Sequence, residues 1–161
     1  MLTDEEAIVA VLTEEPGSIR AMLRKALNDE LLAEFQYRSC YWQSMGVGKV
    51  DCDPEFKEHA DEEHKHAEDI ARRINELGGT ITVDPVLWEK DSNGFTPIDF
   101  SECHEMLAVT HGAEVTAIEY YRSLIEACEK ERDYTTKRMI KSILADEEKH
   151  EYDLRMLLQQ V

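Results

Sequence analysis

One pattern of carboxylate and imidazole side chains occurs twice in this chain, and it restricts the possible folds more than any other feature of the sequence. In the first copy, Glu30 is followed 33 residues later by Glu63, and His66 comes three positions after that. The second copy repeats both spacings with Glu114, Glu147 and His150. Four carboxylates and two imidazoles in this order are the ligands that two divalent metal ions need inside a four-helix bundle.

These side chains interrupt apolar helical stripes. Glu63 stands in a row with Ala60 and Ala67 at three- and four-residue steps, and Glu147 follows Ile143 in the same way. A carboxylate that points into a bundle interior is destabilising unless it is paired or bound to metal. A solvated glutamate on an exposed face would explain one such motif, but not two copies on apolar stripes. The sequence therefore predicts a buried site for two metal ions.

Capping residues, glycines and prolines divide the chain into four long helices. The candidate N-caps are Ser18, Asp53 before Pro54, Asp99 or Ser101, and Asp133. The predicted helices cover about 18–45, 54–77, 100–130 and 133–160, after an N-terminal arm of residues 1–17. Residues 80–98 are long enough to run back along the full length of a helix. The other two loops are short, so the helices that they connect must be antiparallel neighbours. We predict an all-α single domain over 1–161, a four-helix bundle of two antiparallel hairpins joined by a long crossover.

Composition limits the partners and the compartment. The net charge of −17 repels phosphate backbones, so nucleic acid is not an expected partner. No stretch approaches the roughly 18 apolar residues of a membrane span, and the acidic N-terminus does not resemble a signal peptide. We therefore expect a soluble, cytoplasmic protein without a membrane partner. The cysteines show no CxxC spacing, and buried free thiols are the expectation for Cys40, Cys52, Cys103 and Cys128.

At the duplicated residues the chain resembles the ferritin-like superfamily, and most closely the bacterioferritins. The resemblance runs through LNDELLAEFQY, DEEHKHAED, HGAEVTAIEYY and ILADEEKHE, and it covers essentially residues 20–160. It implies a ferritin-like bundle with two iron ions per subunit. The implied ligands are the terminal Glu30 and Glu114, the bridging Glu63 and Glu147, and one histidine for each metal, His66 and His150.

The same resemblance assigns roles to three neighbouring residues. Tyr37 matches the family tyrosine beside the site, which implies a hydrogen bond to a ligand carboxylate and a role as a one-electron donor. A purely structural role as a core aromatic is the alternative for Tyr37. Glu62 and Asp146, just before the bridging glutamates, match acids that orient the histidine of the opposite half.

Departures from the bacterioferritin pattern change the expected cofactor and assembly. Haem-binding members have a methionine immediately after the first bridging glutamate, and this chain has His64 there, so haem is not expected. The short segment after His150 leaves no room for the fifth helix of 24-subunit cages. The chain looks more like Dps-like proteins with a bacterioferritin-type site, which implies a homo-oligomeric shell of 12 subunits. Glu58 and Glu62 stand where some bacterioferritins have an inner-surface iron site.

The function expected from these features is ferroxidation. Two Fe(II) ions would be oxidised by hydrogen peroxide or dioxygen, and Fe(III) would be stored in the shell. Four carboxylates balance two divalent ions, which favours iron or manganese, while zinc could bind without redox chemistry. The alternatives are a rubrerythrin-like di-iron peroxidase or a manganese catalase that retains its metals, and a helical interaction module without enzymatic activity. An encapsulating partner is neither indicated nor excluded.

Several polar residues near the motifs have no assignment from the sequence. His111 and His59 each lie about one turn before a ligand glutamate, so they could join the metal site or be ordinary core histidines. Glu34 could face the metals or a subunit interface. Cys103 and Cys128 would be roughly 37 Å apart on one continuous helix, too far for a disulfide.

Overall fold

Four helices account for most of the computed structural model, which describes residue 15 and residues 17–82, 84–99 and 101–160. They are α1 (Ile19–Gln43), α2 (Lys49–Glu76), α3 (Cys103–Glu131) and α4 (Tyr134–Leu157). Helix α1 packs mainly on α2, and α3 packs mainly on α4. The predicted all-α bundle of two hairpins joined by a long crossover is therefore confirmed. The predicted arm, residues 1–17, lies outside the described residues except for Glu15 and Gly17.

The predicted caps are correct for the first and last helices. Ser18 accepts a hydrogen bond from the Ala21 backbone N–H at 3.2 Å, and Asp133 accepts one from the Thr136 N–H at 3.0 Å. These side chains satisfy backbone donors that have no partner within the helix. The first turns of α1 and α4 can therefore be read directly from the sequence.

The predicted start of the second helix is wrong. Helix α2 begins at Lys49 instead of residue 54, and Pro54 lies inside it. A proline has no N–H to donate to the carbonyl four residues earlier, here that of Val50. Val50 is 87% exposed, so water can bind that carbonyl. Asp53 is not a cap: it forms an ion pair with Lys49 at 2.7 Å.

The predicted caps of the third helix are also wrong. Helix α3 begins at Cys103 and is preceded by Glu102, which makes no side-chain capping hydrogen bond. The Met45 N–H donates to the Ser101 carbonyl at 3.0 Å, and Met45 pairs with Glu102 in an isolated β-bridge. This pairing holds residues 101 and 102 extended, so helical geometry starts only after them.

Polar side chains of α1 hold the crossover against the bundle. The crossover contains two short 3-10 helices, Pro85–Leu87 and Glu89–Asp91. Asn28 Nδ2 donates to the Asp91 carbonyl at 2.8 Å, and Gln36 Nε2 donates to the Thr96 carbonyl at 2.7 Å. Because these donors lie along α1, the crossover runs beside that helix and covers one side of the bundle.

Two apolar clusters fill the bundle, one towards each end. The first contains Leu23, Leu27, Ile70, Ile74, Leu124 and Ile140 among others, and the second contains Tyr37, Phe56, Met106, Leu107 and Leu154 among others. On every helix, the repeated glutamates and histidines occupy positions between these two clusters. A buried polar layer therefore separates two apolar ones.

The four cysteines are buried and free, as predicted. Cys103 and Cys128 stand near opposite ends of the continuous helix α3, so they cannot bond each other. Within the described part of the chain, none of the helices combines the length and the apolar character needed to span a membrane.

Candidate metal centre

Six residues meet in the polar layer, and each residue is at most 5% exposed. They come from every helix of the bundle: Glu30 from α1, Glu63 and His66 from α2, Glu114 from α3, and Glu147 and His150 from α4. Their ligand atoms form two groups, each with all atoms within 4.8 Å of one another. One group is Glu30, Glu63, His66 and Glu147, and the other is Glu63, Glu114, Glu147 and His150. Two metal positions that share Glu63 and Glu147 fit this arrangement. We call these residues the six-residue cluster.

Both histidines of the cluster point Nδ1 inwards. His66 Nδ1 lies 3.1 Å from Glu63 Oε2 and 3.2 Å from Glu147 Oε1. His150 Nδ1 lies 3.2 Å from Glu147 Oε2 and 3.3 Å from Glu63 Oε1. The two inner glutamates therefore contact both imidazoles, and Nδ1 is the histidine atom available to a metal.

Acidic residues of the opposite hairpin hold the outer nitrogen of each imidazole. His66 Nε2 lies 3.2 Å from Asp146 Oδ2, and His150 Nε2 lies 2.7 Å from Glu62 Oε2. The predicted contacts of Asp146 and Glu62 are thus confirmed. A carboxylate on one nitrogen fixes the ring orientation and makes the other nitrogen a better ligand.

Two tyrosines connect α1 and α3 across the cluster. Tyr37 donates a hydrogen bond to Glu114 Oε1, and Tyr121 donates one to Glu30 Oε1. The predicted contact of Tyr37 with a candidate ligand carboxylate is confirmed. Tyr121 received no role from the sequence, although it follows Glu114 by the seven residues that separate Tyr37 from Glu30.

Several carboxylate oxygens of the cluster lack a hydrogen-bond partner. Glu30 Oε2, Glu63 Oε1 and Glu147 Oε1 are buried and make no hydrogen bond, although imidazole nitrogens lie 3.2–3.4 Å away. Buried anionic oxygens are normally paired because desolvation is unfavourable. Two cations, one beside His66 and one beside His150, would satisfy these oxygens by accepting their lone pairs. The donor set, rich in carboxylate with one imidazole per position, fits iron, manganese or zinc.

Electrostatics inside the layer favour bound protons when no metal is present. Burial, together with the charges of Glu63 and Glu147, raises the pKa of Glu30 and of Glu114 well above the ordinary carboxyl value. Burial raises the pKa of Glu63, but the close imidazoles of His150 and His66 outweigh this effect and lower it. The neighbouring carboxylates raise the pKa of His150 to about 12 and also raise that of His66, against the effect of burial. These shifts favour the protonated forms of His66, His150, Glu30 and Glu114 in the metal-free protein.

His111 and Glu34, which the sequence left open, do not join the cluster, and neither does Glu58. His111 Nε2 lies 2.9 Å from Glu151 Oε1 on α4. Glu34 accepts a hydrogen bond from Arg38 and lies 3.1 Å from Nδ1 of the exposed His64. Glu58 is also exposed and lies 3.3 Å from Lys149 Nζ.

His59 is fully buried beside the cluster. Its ring stacks on His150 with centroids 4.0 Å apart and meets Tyr37 edge-on at 5.1 Å. Burial lowers the pKa of His59 to about 3, with a further contribution from His150, so the ring is neutral. Neither ring nitrogen makes a hydrogen bond. The sequence indicated only that His59 lies one turn before Glu63.

A cavity of about 490 Å³ reaches the cluster from one side of the bundle. Small residues of α1 and α3 line it, together with Asn93, Gly94, Phe95 and Thr96 of the crossover. Glu30, Tyr37, Glu63, Glu114 and Glu147 line its inner part. The cavity can therefore admit a small reactant to the carboxylates and to the phenol of Tyr37.

Comparisons with known proteins agree with this geometry. A family profile described as ferritin-like domain matches residues 20–161. A bacterioferritin from Desulfovibrio desulfuricans is 26% identical over 148 residues, which cover 85% of this chain and 72% of that protein.

Solved structures with the same fold extend the comparison. The bacterioferritin-related protein of Bacteroides fragilis, described as a dodecameric thioferritin, matches with a TM-score of 0.86 and 32% identity. That match covers 97% of this chain and 94% of the other. Dps from Thermosynechococcus elongatus matches with a TM-score of 0.83 and 17% identity, over 87% of this chain and 89% of the other. The second likeness supports the fold alone.

Proposed function

Because this chain belongs to the ferritin-like domain family, we propose that it is a ferroxidase of an iron-storage shell. It oxidises Fe(II) with hydrogen peroxide or dioxygen and stores the Fe(III) product. The observation that carries the proposal is the six-residue cluster, two four-residue groups that share a pair of buried glutamates.

The cluster residues act as the ligands of two iron ions. Glu63 and Glu147 would contribute to both metal positions because they belong to both groups, and each position would also have one further glutamate and one histidine. The terminal ligands are Glu30 with His66 at one position and Glu114 with His150 at the other. Four carboxylates balance the charge of two divalent ions in the low-dielectric interior. Manganese or zinc can occupy the same ligands, but zinc supplies no redox chemistry.

A pair of iron ions matches the electron demand of the oxidant. Each Fe(II) gives up one electron, and one hydrogen peroxide takes two electrons and two protons to yield two water molecules. With dioxygen, the same two electrons and two protons yield hydrogen peroxide. The cavity beside Tyr37 and the cluster gives the oxidant access. When only one Fe(II) is bound, Tyr37 is placed to supply the second electron that hydrogen peroxide needs, together with its phenol proton, and it becomes a tyrosyl radical. Its hydrogen bond also holds the Glu114 carboxylate in position.

The assembly is a homo-oligomeric shell, for which we propose 12 subunits. The B. fragilis relative is described as dodecameric, and this chain covers 94% of it. Large apolar side chains on and after α1 are exposed in the single chain: Phe35, Trp42, Met45, Val47 and Val50. Contact between subunits would bury such side chains. The four free cysteines fit a reducing compartment, so we place the shell in the cytoplasm.

Rapid mixing of iron-loaded protein with oxidant tests the proposal. Protein loaded anaerobically with increasing Fe(II) is mixed with hydrogen peroxide or air, and oxidation is followed by absorbance. We expect a fast phase that saturates at two irons per subunit, followed by continued uptake into a soluble mineral. Saturation at two irons without further uptake would instead indicate a retained cluster, as in a rubrerythrin-like peroxidase or a manganese catalase. The absence of a fast phase would contradict the ferroxidase assignment.

The two tyrosines provide a matched test of the electron-donor role. Tyr37→Phe and Tyr121→Phe each remove one hydrogen bond to a terminal carboxylate, and we expect each to slow the fast phase by about tenfold. Only Tyr37 lines the cavity, so only Tyr37→Phe should abolish a tyrosyl radical signal in freeze-quenched EPR samples. Equal radical signals in the two variants would limit Tyr37 to positioning Glu114.

A further inference from the structure

His59 has more polar capacity than its surroundings use. The side chain is 0% exposed, and neither Nδ1 nor Nε2 makes a hydrogen bond. Its contacts with Tyr37 and His150 are ring contacts, which an apolar aromatic side chain could make without burying two nitrogens. An unpartnered polar group in a folded interior calls for an explanation such as a ligand.

Two carboxylates lie on the outer side of this histidine. His59 Nε2 is 3.5 Å from Glu55 Oε2, which is too long for a strong hydrogen bond. Glu55, His59 and Asp153 each offer one ligand atom, and these atoms all lie within 4.8 Å of one another. The carboxylates are accessible, because the Glu55 side chain is 32% exposed and that of Asp153 is 28% exposed.

His59 also belongs to a group that includes residues of the six-residue cluster. Ligand atoms of His59, Glu114 and His150 again lie within 4.8 Å of one another. His59 therefore has surface carboxylates on one side and two cluster residues on the other. These carboxylates come from α2 and α4, whereas the 490 Å³ cavity opens between α1, α3 and the crossover. The group of Glu55, His59 and Asp153 and the cavity thus lie on different faces of the bundle.

We propose that Glu55, His59 and Asp153 form a third cation site, which binds a divalent transition-metal ion and exchanges it with the six-residue cluster. One imidazole and two carboxylates suit Fe(II), Co(II) or Zn(II), and three protein ligands leave positions for water. The transfer role rests on metal binding by the cluster, as proposed above. The existence of the third site does not depend on metal binding by the cluster.

The charges around the site are consistent with a cation. Burial raises the pKa of Glu55, and the nearby charges of Asp153 and Glu58 raise it further, so a positive ion would relieve their repulsion. Lys149 Nζ lies 3.4 Å from Asp153 Oδ2 and 3.3 Å from Glu58 Oε1. The Lys149 side chain is 49% exposed, and it can move into solvent when an ion binds.

Crystals soaked in Co(II) test the third site directly. The double variant Glu55→Gln/Asp153→Asn removes both carboxylates at partly exposed positions, and Glu58→Gln is the matched control because it removes a neighbouring charge outside the group. We expect anomalous scattering between Glu55, His59 and Asp153 in the wild type and in Glu58→Gln. The double variant should lose this peak. A wild type without the peak, or a double variant that retains it, would overturn the proposal.

Metal exchange in solution tests the transfer role. Protein loaded with Co(II) is mixed rapidly with excess Zn(II), and loss of the cobalt d–d absorption reports exchange from the cluster. We expect the double variant to exchange about tenfold more slowly than the wild type and Glu58→Gln. An unchanged rate would show that the third site is not a route to the cluster. Neither measurement involves iron oxidation, so failure of the ferroxidase proposal would be seen separately.

Discussion

Substitution of Glu63 by glutamine is expected to abolish the fast phase of iron oxidation, with a loss of at least about 100-fold in rate. Glu63 belongs to both four-residue groups, and its carboxylate lies 3.1 Å from His66 Nδ1 and 3.3 Å from His150 Nδ1. The amide keeps the shape of the side chain, but it removes the negative charge and replaces one of the two oxygens, which lie beside different histidines of the cluster. A loss of that size corresponds to about 2.7 kcal/mol in the activation barrier.

Glu68→Gln is the matched control for this variant. Glu68 lies on the same helix and its side chain is 70% exposed. The Glu68→Gln variant should therefore oxidise iron at the wild-type rate. Size-exclusion chromatography and thermal unfolding would show whether Glu63→Gln still assembles. A correctly assembled Glu63→Gln variant with a normal fast phase would remove Glu63 from the site.

Metal binding is expected to release about four protons for each pair of divalent ions at pH 7. In the metal-free protein, Glu30 and Glu114 have pKa values well above the ordinary carboxyl value of 4.5. His66 and His150 have pKa values raised above the ordinary 6.5. We therefore expect these four groups to hold protons that metal ions displace, and four protons carry the same charge as two divalent ions. Two dications therefore replace four protons without changing the charge of the buried layer.

Zinc titration in weakly buffered solution with a pH indicator measures the released protons. Glu30→Gln should release about one proton fewer, whereas Glu34→Gln, one turn along the same helix and outside the cluster, should match the wild type. Release of no protons would mean that the four groups are already deprotonated in the metal-free protein. Zinc is suitable because it binds without being oxidised.

The same pKa shifts fix the pH dependence of stability. A group whose pKa is raised by folding contributes stability below its unfolded pKa and loses that contribution as pH rises through its folded pKa. Glu30, Glu114, His66 and His150 all have raised pKa values. The melting temperature of the metal-free protein should therefore fall between pH 5 and pH 9, and zinc-loaded protein should not show this fall. The lowered pKa of Glu63 has the opposite effect on stability: its contribution is lost as the pH falls below the ordinary carboxyl range.

The spacing of the repeated glutamates and histidines in the sequence was sufficient to predict which residues form the cluster. Each repeated glutamate lies on an apolar helical stripe, and the histidine three positions after Glu63 or Glu147 lies on the same face of its helix, so these side chains point inwards. The short hairpin loops then bring the two copies together, which is why the six cluster residues were found without coordinates. The caps at Ser18 and Asp133 were predicted for a related reason, because each bonds to a backbone N–H only three residues away.

The partners that side chains contact on other helices could be identified only from the tertiary structure. Each tyrosine shares a helical face with one cluster glutamate but bonds to the glutamate of another helix: Tyr37 to Glu114 and Tyr121 to Glu30. His111 pairs with Glu151, and His59 is buried between the cluster and two carboxylates, although each lies about one turn before a cluster glutamate. Sequence spacing fixes the direction of a side chain from its own helix axis. The partner that it meets depends on the rotation and register of the neighbouring helix, which are set by packing of the whole core.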